Sequence, residues 1–220
     1  MIIAIDGLAG SGKSSTAKLV ATRLGFSYFT TGKMYRAITK YAIINNLLNN
    51  LPNSIEKIIN QIDISITGDN FNKIVINNSD YSSDLYSEKI NQYISILSSI
   101  SSVRSKMVKI QREVGEKNNI ICEGRDIGTV VFPNANYKFY FKADLKSRTD
   151  RRYLEIKKNN PSITKISLKK MIRDRDFRDL NRKVSPLKKA NDAILVITTN
   201  MTITEQVNFI CDIVKDNKEK

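Results

Sequence analysis

Ile2-Ile3-Ala4-Ile5-Asp6-Gly7-Leu8-Ala9-Gly10-Ser11-Gly12-Lys13-Ser14 is the stretch that decides the fold of this 220-residue chain. Residues 2–6 form a short apolar run suited to a buried parallel strand. Residues 7–14 fit G-x-x-x-x-G-K-[ST] without a mismatch. Ala17, Leu19, Val20, Ala21 and Leu24, closed by Gly25, then carry the spacing of a helix. Between a strand and a helix, such glycines let the backbone curl until several N–H groups point inward at a phosphate. The segment therefore predicts a nucleoside triphosphate held by Gly7, Leu8, Ala9, Gly10, Ser11, Gly12, Lys13, Ser14 and the adjoining Ser15. Lys13 is placed to bridge β- and γ-phosphates, and the Ser14 hydroxyl to ligate Mg²⁺.

Outward from this loop the chain alternates strands and helices. Residues 26–29 read as a strand and 34–48 as a helix, with Met34, Tyr35, Ile38, Ala42 and Ile43 apolar at helical spacing. Residues 50–103 change texture: Asn and Ser are frequent, and alternating runs (Ile62, Ile64, Ile66; Ile74, Ile76) flank the turn-prone Gly68-Asp69-Asn70 and Asn77-Asn78. They predict a small insert with a few strands and a helix near 86–97. Helix 103–117, strands 119–122 and 137–142, helices 146–158 and 165–180, strand 193–198 and helix 203–215 complete the reading. This order predicts an α/β fold, a parallel β-sheet flanked by helices.

Composition narrows the chemistry. Histidine is absent, which excludes Ser-His-Asp hydrolysis, His-ligated zinc and histidine general bases. The two cysteines, Cys122 and Cys211, lie far apart in apolar runs, so core packing in a reducing, cytoplasmic setting is expected. No apolar stretch approaches the roughly 20 residues of a membrane span, and the N-terminus lacks the basic region of a signal peptide. The net charge of +14 calls for an anionic partner. Lysines are scattered, but eight of the twelve arginines fall between Arg125 and Arg182. Clustered guanidiniums are the expected means of gripping phosphate bidentately. The guanine-reading Asn-Lys-x-Asp run is missing, and Ile120-Ile121-Cys122-Glu123 comes closest to the acidic strand end of many ATPases.

Three further clusters stand out: Thr31-Gly32-Lys33-Met34-Tyr35-Arg36, Glu123-Gly124-Arg125-Asp126-Ile127-Gly128-Thr129, and residues 173–182, where Arg and Asp are densely mixed. Singly, each has a plain structural reading, such as a solvated helix face laced with ion pairs. In their order and spacing, together with the phosphate loop, they resemble bacterial cytidylate kinase over nearly the whole chain. The resemblance implies a single nucleoside monophosphate kinase domain of the P-loop fold. It would carry a monophosphate-binding insert at about 50–103 and a short lid at about 146–165. It also implies transfer of the γ-phosphoryl group of ATP to CMP or dCMP, with Mg²⁺.

By the same resemblance, Thr31 and Arg36 contact the acceptor nucleotide, and Ser95 and Arg104 read its base. Arg125 and Asp126 belong to the Gly-Arg-Asp block that meets the acceptor, with Arg125 on the phosphate side; Arg175 and Arg182 clamp phosphate, and Asp179 accepts from ribose hydroxyls. Lys13, Arg125, Arg175 and Arg182 are then the catalytic cations. Arg148, Arg151 and Arg152 lie at the lid helix, with Arg151 on the donor. A monomer is the expected state, with no nucleic-acid or membrane partner. Two alternatives remain open: a small kinase using UMP, AMP or shikimate, and an NTP-switched nucleic-acid binder prompted by the charge.

Overall fold

The computed structural model describes residues 1–158 and 160–216. Five strands form one parallel sheet: β1 (Ile2–Gly7), β2 (Ser27–Thr30), β6 (Ile120–Gly124), β7 (Tyr137–Lys142) and β8 (Ile194–Ile197), in the order β2-β6-β1-β7-β8. The helices are α1 (Lys13–Leu24), α2 (Thr31–Ile44), α3 (Asn53–Ile58), α4 (Glu88–Leu97), α5 (Ser101–Glu116), α6 (Leu145–Ile156), α7 (Lys165–Asn181) and α8 (Ile203–Asp216). A second, antiparallel sheet joins β3 (Ile64–Thr67), β4 (Lys73–Ile76) and β5 (Ser79–Asp80). The α/β class read from the sequence is the fold observed.

Strand alternation explains how the central sheet is buried on both faces. Ile3 and Ile5 of β1, Ile121 of β6, and Phe139 and Phe141 of β7 pack with Val20, Val207, Ile210 and Cys211 beneath α1 and α8. Ala4, Phe29, Ile120 and Cys122 point the other way, against Met34, Ile38, Val103 and Met107 of α2 and α5. Both cysteines are buried and unpaired, as core residues. The Asn- and Ser-rich insert does not stand apart from this body. Ile55, Ile59, Ile62, Ile64, Ile74, Ile76 and Leu97 join the same apolar cluster as Met34 and Ile38. Each buried isoleucine of that set contributes about 1.5–3 kcal/mol.

Element boundaries differ from the sequence reading in instructive places. The second helix starts at Thr31 rather than 34 and ends at Ile44, because Asn46 turns left-handed (φ 55°) before a short 3-10 turn over Leu47–Asn50. Asparagine adopts that conformation more readily than other side-chain-bearing residues. Helix α3 was not anticipated, and nor was the wide π-type turn Ile127–Val131 that follows Asp126. Helix α1 does end as expected, on Gly25 at φ 68°. Among the described residues, no helix is long and apolar enough to cross a membrane.

Candidate functional site

The parallel register brings the C-terminal ends of β1, β2 and β6 together, where open α/β sheets hold their ligands. From β1 the chain enters the glycine loop. Gly7 leaves the strand at φ 146°, and a Cβ there would lie 2.1 Å from the Phe141 carbonyl oxygen, so β7 permits no side chain. Gly12 (φ 94°) completes the curl into α1. The ammonium of Lys13 is folded into the loop and donates to the Leu8 carbonyl at 2.8 Å. Burial, and then the nearby Arg125 guanidinium, push its pKa down to about 7.

Glu123, at the end of β6, ties three elements to one carboxylate oxygen. Its Oε1 accepts from Ser14 Oγ (2.9 Å), Thr30 Oγ1 (2.6 Å) and Tyr28 Oη (3.3 Å). Asp6, the last side chain of β1, accepts from the backbone N–H groups of Ile127 (2.8 Å) and Gly128 (2.7 Å). It thereby fixes the turn that directly follows Arg125 and Asp126. Burial pushes the Asp6 carboxyl up to about 6 against the opposing pull of those two donors.

Beyond the loop lies a lattice of two carboxylates and four guanidiniums. Asp179 pairs with Arg125 at 2.8 Å and approaches Arg175 at 3.9 Å. Burial raises the Asp179 carboxyl, but Arg125 and Arg175 outweigh it and hold the group below the usual carboxylate range. Asp126 pairs with Arg104 and, at 3.3 Å, with Arg182. Lys13 is close enough to Arg125 and Arg175 for both to depress its ionisation. Arg175 is itself lowered to about 10, by burial and then by Arg125.

The profile of the cytidylate kinase family matches residues 3–216. The chain belongs to the cytidylate kinase family. It is 44% identical over 210 residues to a cytidylate kinase of Fusobacterium nucleatum subsp. nucleatum, covering 96% of this chain and 95% of that one. A cytidylate kinase of Clostridium botulinum (strain Loch Maree / Type A3) is 42% identical over 213 residues, covering 97% of each chain. Among solved structures, an uncharacterized protein from Eubacterium ventriosum ATCC 27560 superposes with a TM-score of 0.51 at 13% identity, covering 100% of this chain and 99% of that one. That last likeness concerns the fold alone.

Within this cytidylate kinase family member, Lys13, Arg104, Arg125, Asp126, Arg175, Asp179 and Arg182 form one connected electrostatic group. Arg36 lies within its field and is anchored by the Leu85 carbonyl (2.9 Å), Asn91 Oδ1 (2.8 Å) and the Tyr86 ring (4.5 Å). Thr31 Oγ1 donates to the Glu123 carbonyl at 3.1 Å. Ser14 and Ser15 are exposed in the first turn of α1. Ser95 is half-buried on α4, where its carbonyl accepts from Ser98 Oγ, and the Ser98 carbonyl accepts from Arg104 at 3.0 Å.

The three arginines expected at the lid helix separate. Arg148 is buried and pairs with Asp176, so its charge is committed to the scaffold. Arg151 donates to the carbonyls of Thr198 and Thr199 (the latter at 3.2 Å), and Thr198 Oγ1 in turn donates to the Ser11 carbonyl at 2.8 Å. Arg152, half exposed and paired with Glu155 at 2.7 Å, is the one whose charge reaches Arg36 and Arg175. Sequence reasoning missed Glu123, Asp6 and Asp176 as organisers. For Glu123 a signal existed, since the apolar run 120–122 ends on it.

Proposed function

We propose that this chain transfers the γ-phosphoryl group of ATP to CMP or dCMP, giving ADP and CDP or dCDP. The observation that carries the reading is the convergence of the buried Lys13 with the partly buried Arg125 and Arg175, where each cation opposes the charge of the others. Such an arrangement is unfavourable by itself and becomes favourable around a polyanion. Residues 7–15 would cradle the donor phosphates through backbone N–H groups and Lys13, with Arg151 holding the 198–199 segment beside Ser11. Arg36, Arg125, Arg175 and Arg182 would grip the acceptor phosphate. Thr31, Asp126 and Asp179 would contact its sugar and base, with Ser95 and Arg104 reading the base. The insert at 50–103 and the lid at 146–165 would then cover acceptor and donor respectively.

The chemistry needs no histidine. A phosphate monoester is already mostly ionised near neutral pH, so its oxygen attacks without a general base. The protein's contribution is alignment, together with cations placed where charge spreads over the transferring group. The residues also fit Mg²⁺. Ser14 Oγ and Glu123 Oε1 present two hard oxygens 2.9 Å apart. Among the described residues, no group of three or more His, Cys, Asp or Glu side chains converges as a protein-only cage. Mg²⁺ characteristically takes few protein ligands and completes its shell with phosphate oxygens and water. When bound it would neutralise developing phosphate charge.

The same reading makes the enzyme a cytoplasmic monomer of pyrimidine nucleotide metabolism. Two buried, unpaired thiols and a site assembled within one chain support it. The deciding experiment is ADP release with ATP and Mg²⁺ and with CMP, dCMP, UMP, AMP or shikimate in parallel. Turnover with CMP and dCMP well above the others is expected. Equal use of UMP or AMP would overturn the base assignment, and no acceptor-dependent release would overturn the kinase reading.

A further inference from the structure

The wide turn Ile127–Val131 closes on two backbone hydrogen bonds that span five residues. Val131 N–H donates to the Asp126 carbonyl at 3.1 Å, and Phe132 N–H donates to the Ile127 carbonyl at 2.7 Å. Such π-type backbone is rare, because the ordinary helical turn competes with it one residue earlier. That competitor is present here, since Val130 N–H also reaches the Asp126 carbonyl at 2.9 Å. The wide form therefore needs support from outside the turn.

The support comes from α5. Arg112 is exposed on that helix, yet its Nη2 donates to the Val130 carbonyl at 2.8 Å and its Nε to the Val131 carbonyl at 2.9 Å. These are the oxygens of the same two peptide groups whose N–H ends make the five-residue bonds. Each peptide thus accepts from a cation at one end and donates into the turn at the other, and bonds in series strengthen one another. The first of the two paths ends on the backbone of Asp126, whose carboxylate pairs with Arg182 at 3.3 Å and with Arg104, eight residues before Arg112 on α5. Asp6 at the head of the turn and Lys138, which donates to the Pro133 carbonyl at its tail, hold the remaining ends.

We propose that Arg112 is a positioning residue for the acceptor nucleotide: from outside the site it holds the turn in its wide form and so sets where Asp126 meets Arg104 and Arg182. This rests on reading that lattice as the acceptor site. Arg112 itself touches no nucleotide and acts through Asp126.

The test compares the full-length wild type with Arg112→Met, which keeps the aliphatic stem and removes both donors, and with Arg112→Lys, which keeps the charge but replaces the fork by a single point donor. Steady-state kinetics with CMP and with ATP varied, calorimetric ATP binding and a thermal melt are run on all three. Arg112→Met is expected to raise the KM for CMP about 5- to 20-fold, with ATP affinity within about twofold of wild type. Arg112→Lys should fall between the two. If the methionine variant does not fold, the lysine variant carries the test, and a rise of about 2- to 5-fold confined to CMP is required. An unchanged KM for CMP, with normal wild-type turnover of CMP, overturns this inference alone. A lowered melting temperature with ATP and CMP parameters shifted together assigns Arg112 to general stability and also overturns it. Wild-type enzyme that does not phosphorylate CMP overturns the underlying reading and this inference with it.

Discussion

Arg148 of α6 and Asp176 of α7 meet as a buried ion pair closed around the peptide groups of one residue, Ala9 of the glycine loop. The Ala9 N–H donates to Asp176 Oδ1 at 3.1 Å, and the Ala9 carbonyl accepts from Arg148 at 3.0 Å. Arg148 Nε also holds the Ala143 carbonyl at 3.0 Å. Leu168 and Ile172 pack on the Ala9 methyl from the same side. The phosphate loop is thus fastened to the helix that carries Arg175, Asp179 and Arg182.

Breaking one half of this pair leaves a buried charge without its counterpart. Arg148→Met is expected to lower stability by about 3–5 kcal/mol in urea unfolding. In the double variant Arg148→Met/Asp176→Leu the loss should fall short of the sum of the singles by at least about 1 kcal/mol, because the stranded carboxylate is gone. Additive losses would show that the two side chains act independently.

Gly7 admits no Cβ. Gly7→Ala would press a methyl against the backbone oxygen of Phe141, at a φ that alanine adopts only under strain. A loss of about 3 kcal/mol or more is expected, read as a lower melting temperature and poor soluble yield. Gly25→Ala makes the comparison, since space there is open and only the left-handed φ opposes it. It should cost about 1 kcal/mol.

Lys13 gives a pH signature with a definite sign. Its folded pKa of about 7 lies below the ordinary 10.5, so unfolding takes up a proton between those values. Wild-type stability should therefore rise with pH across that window, as the cost of the buried ammonium disappears. Lys13→Met should abolish turnover by about 10³-fold or more. At pH 6 it should melt about 2–4 °C above wild type, a margin that narrows toward pH 10. A margin independent of pH would contradict the placement of a buried ammonium.

Arg182 pairs with Asp126 at 3.3 Å, and the proposed function assigns it to the acceptor phosphate. Arg182→Ala is expected to lower kcat/KM for CMP by about 10²- to 10³-fold while ATP affinity, measured by calorimetry, stays near normal. Weakened ATP binding with unchanged CMP kinetics would overturn the assignment of this arginine.

The local sequence determined the phosphate loop, the α/β alternation and the clustering of arginine. Each of these depends on neighbours in the chain: glycines that permit a tight curl, period-2 and period-3.6 apolar spacing, and a run of like residues. Partnership in space was not legible there. The ten-residue segment 173–182 reads as one undifferentiated face of charge. Packing alone decided that Asp176 faces Ala9, that Asp179 faces Arg125, and that Arg182 reaches Asp126. In the same way Arg148, Arg151 and Arg152 look equivalent along the helix, yet one is built into the scaffold, one grips a neighbouring loop, and one faces the site. Spacings of three and four residues keep these arginines on one helix face, so position along the helix does not separate them, and only the elements packed around that face settle which partners they meet.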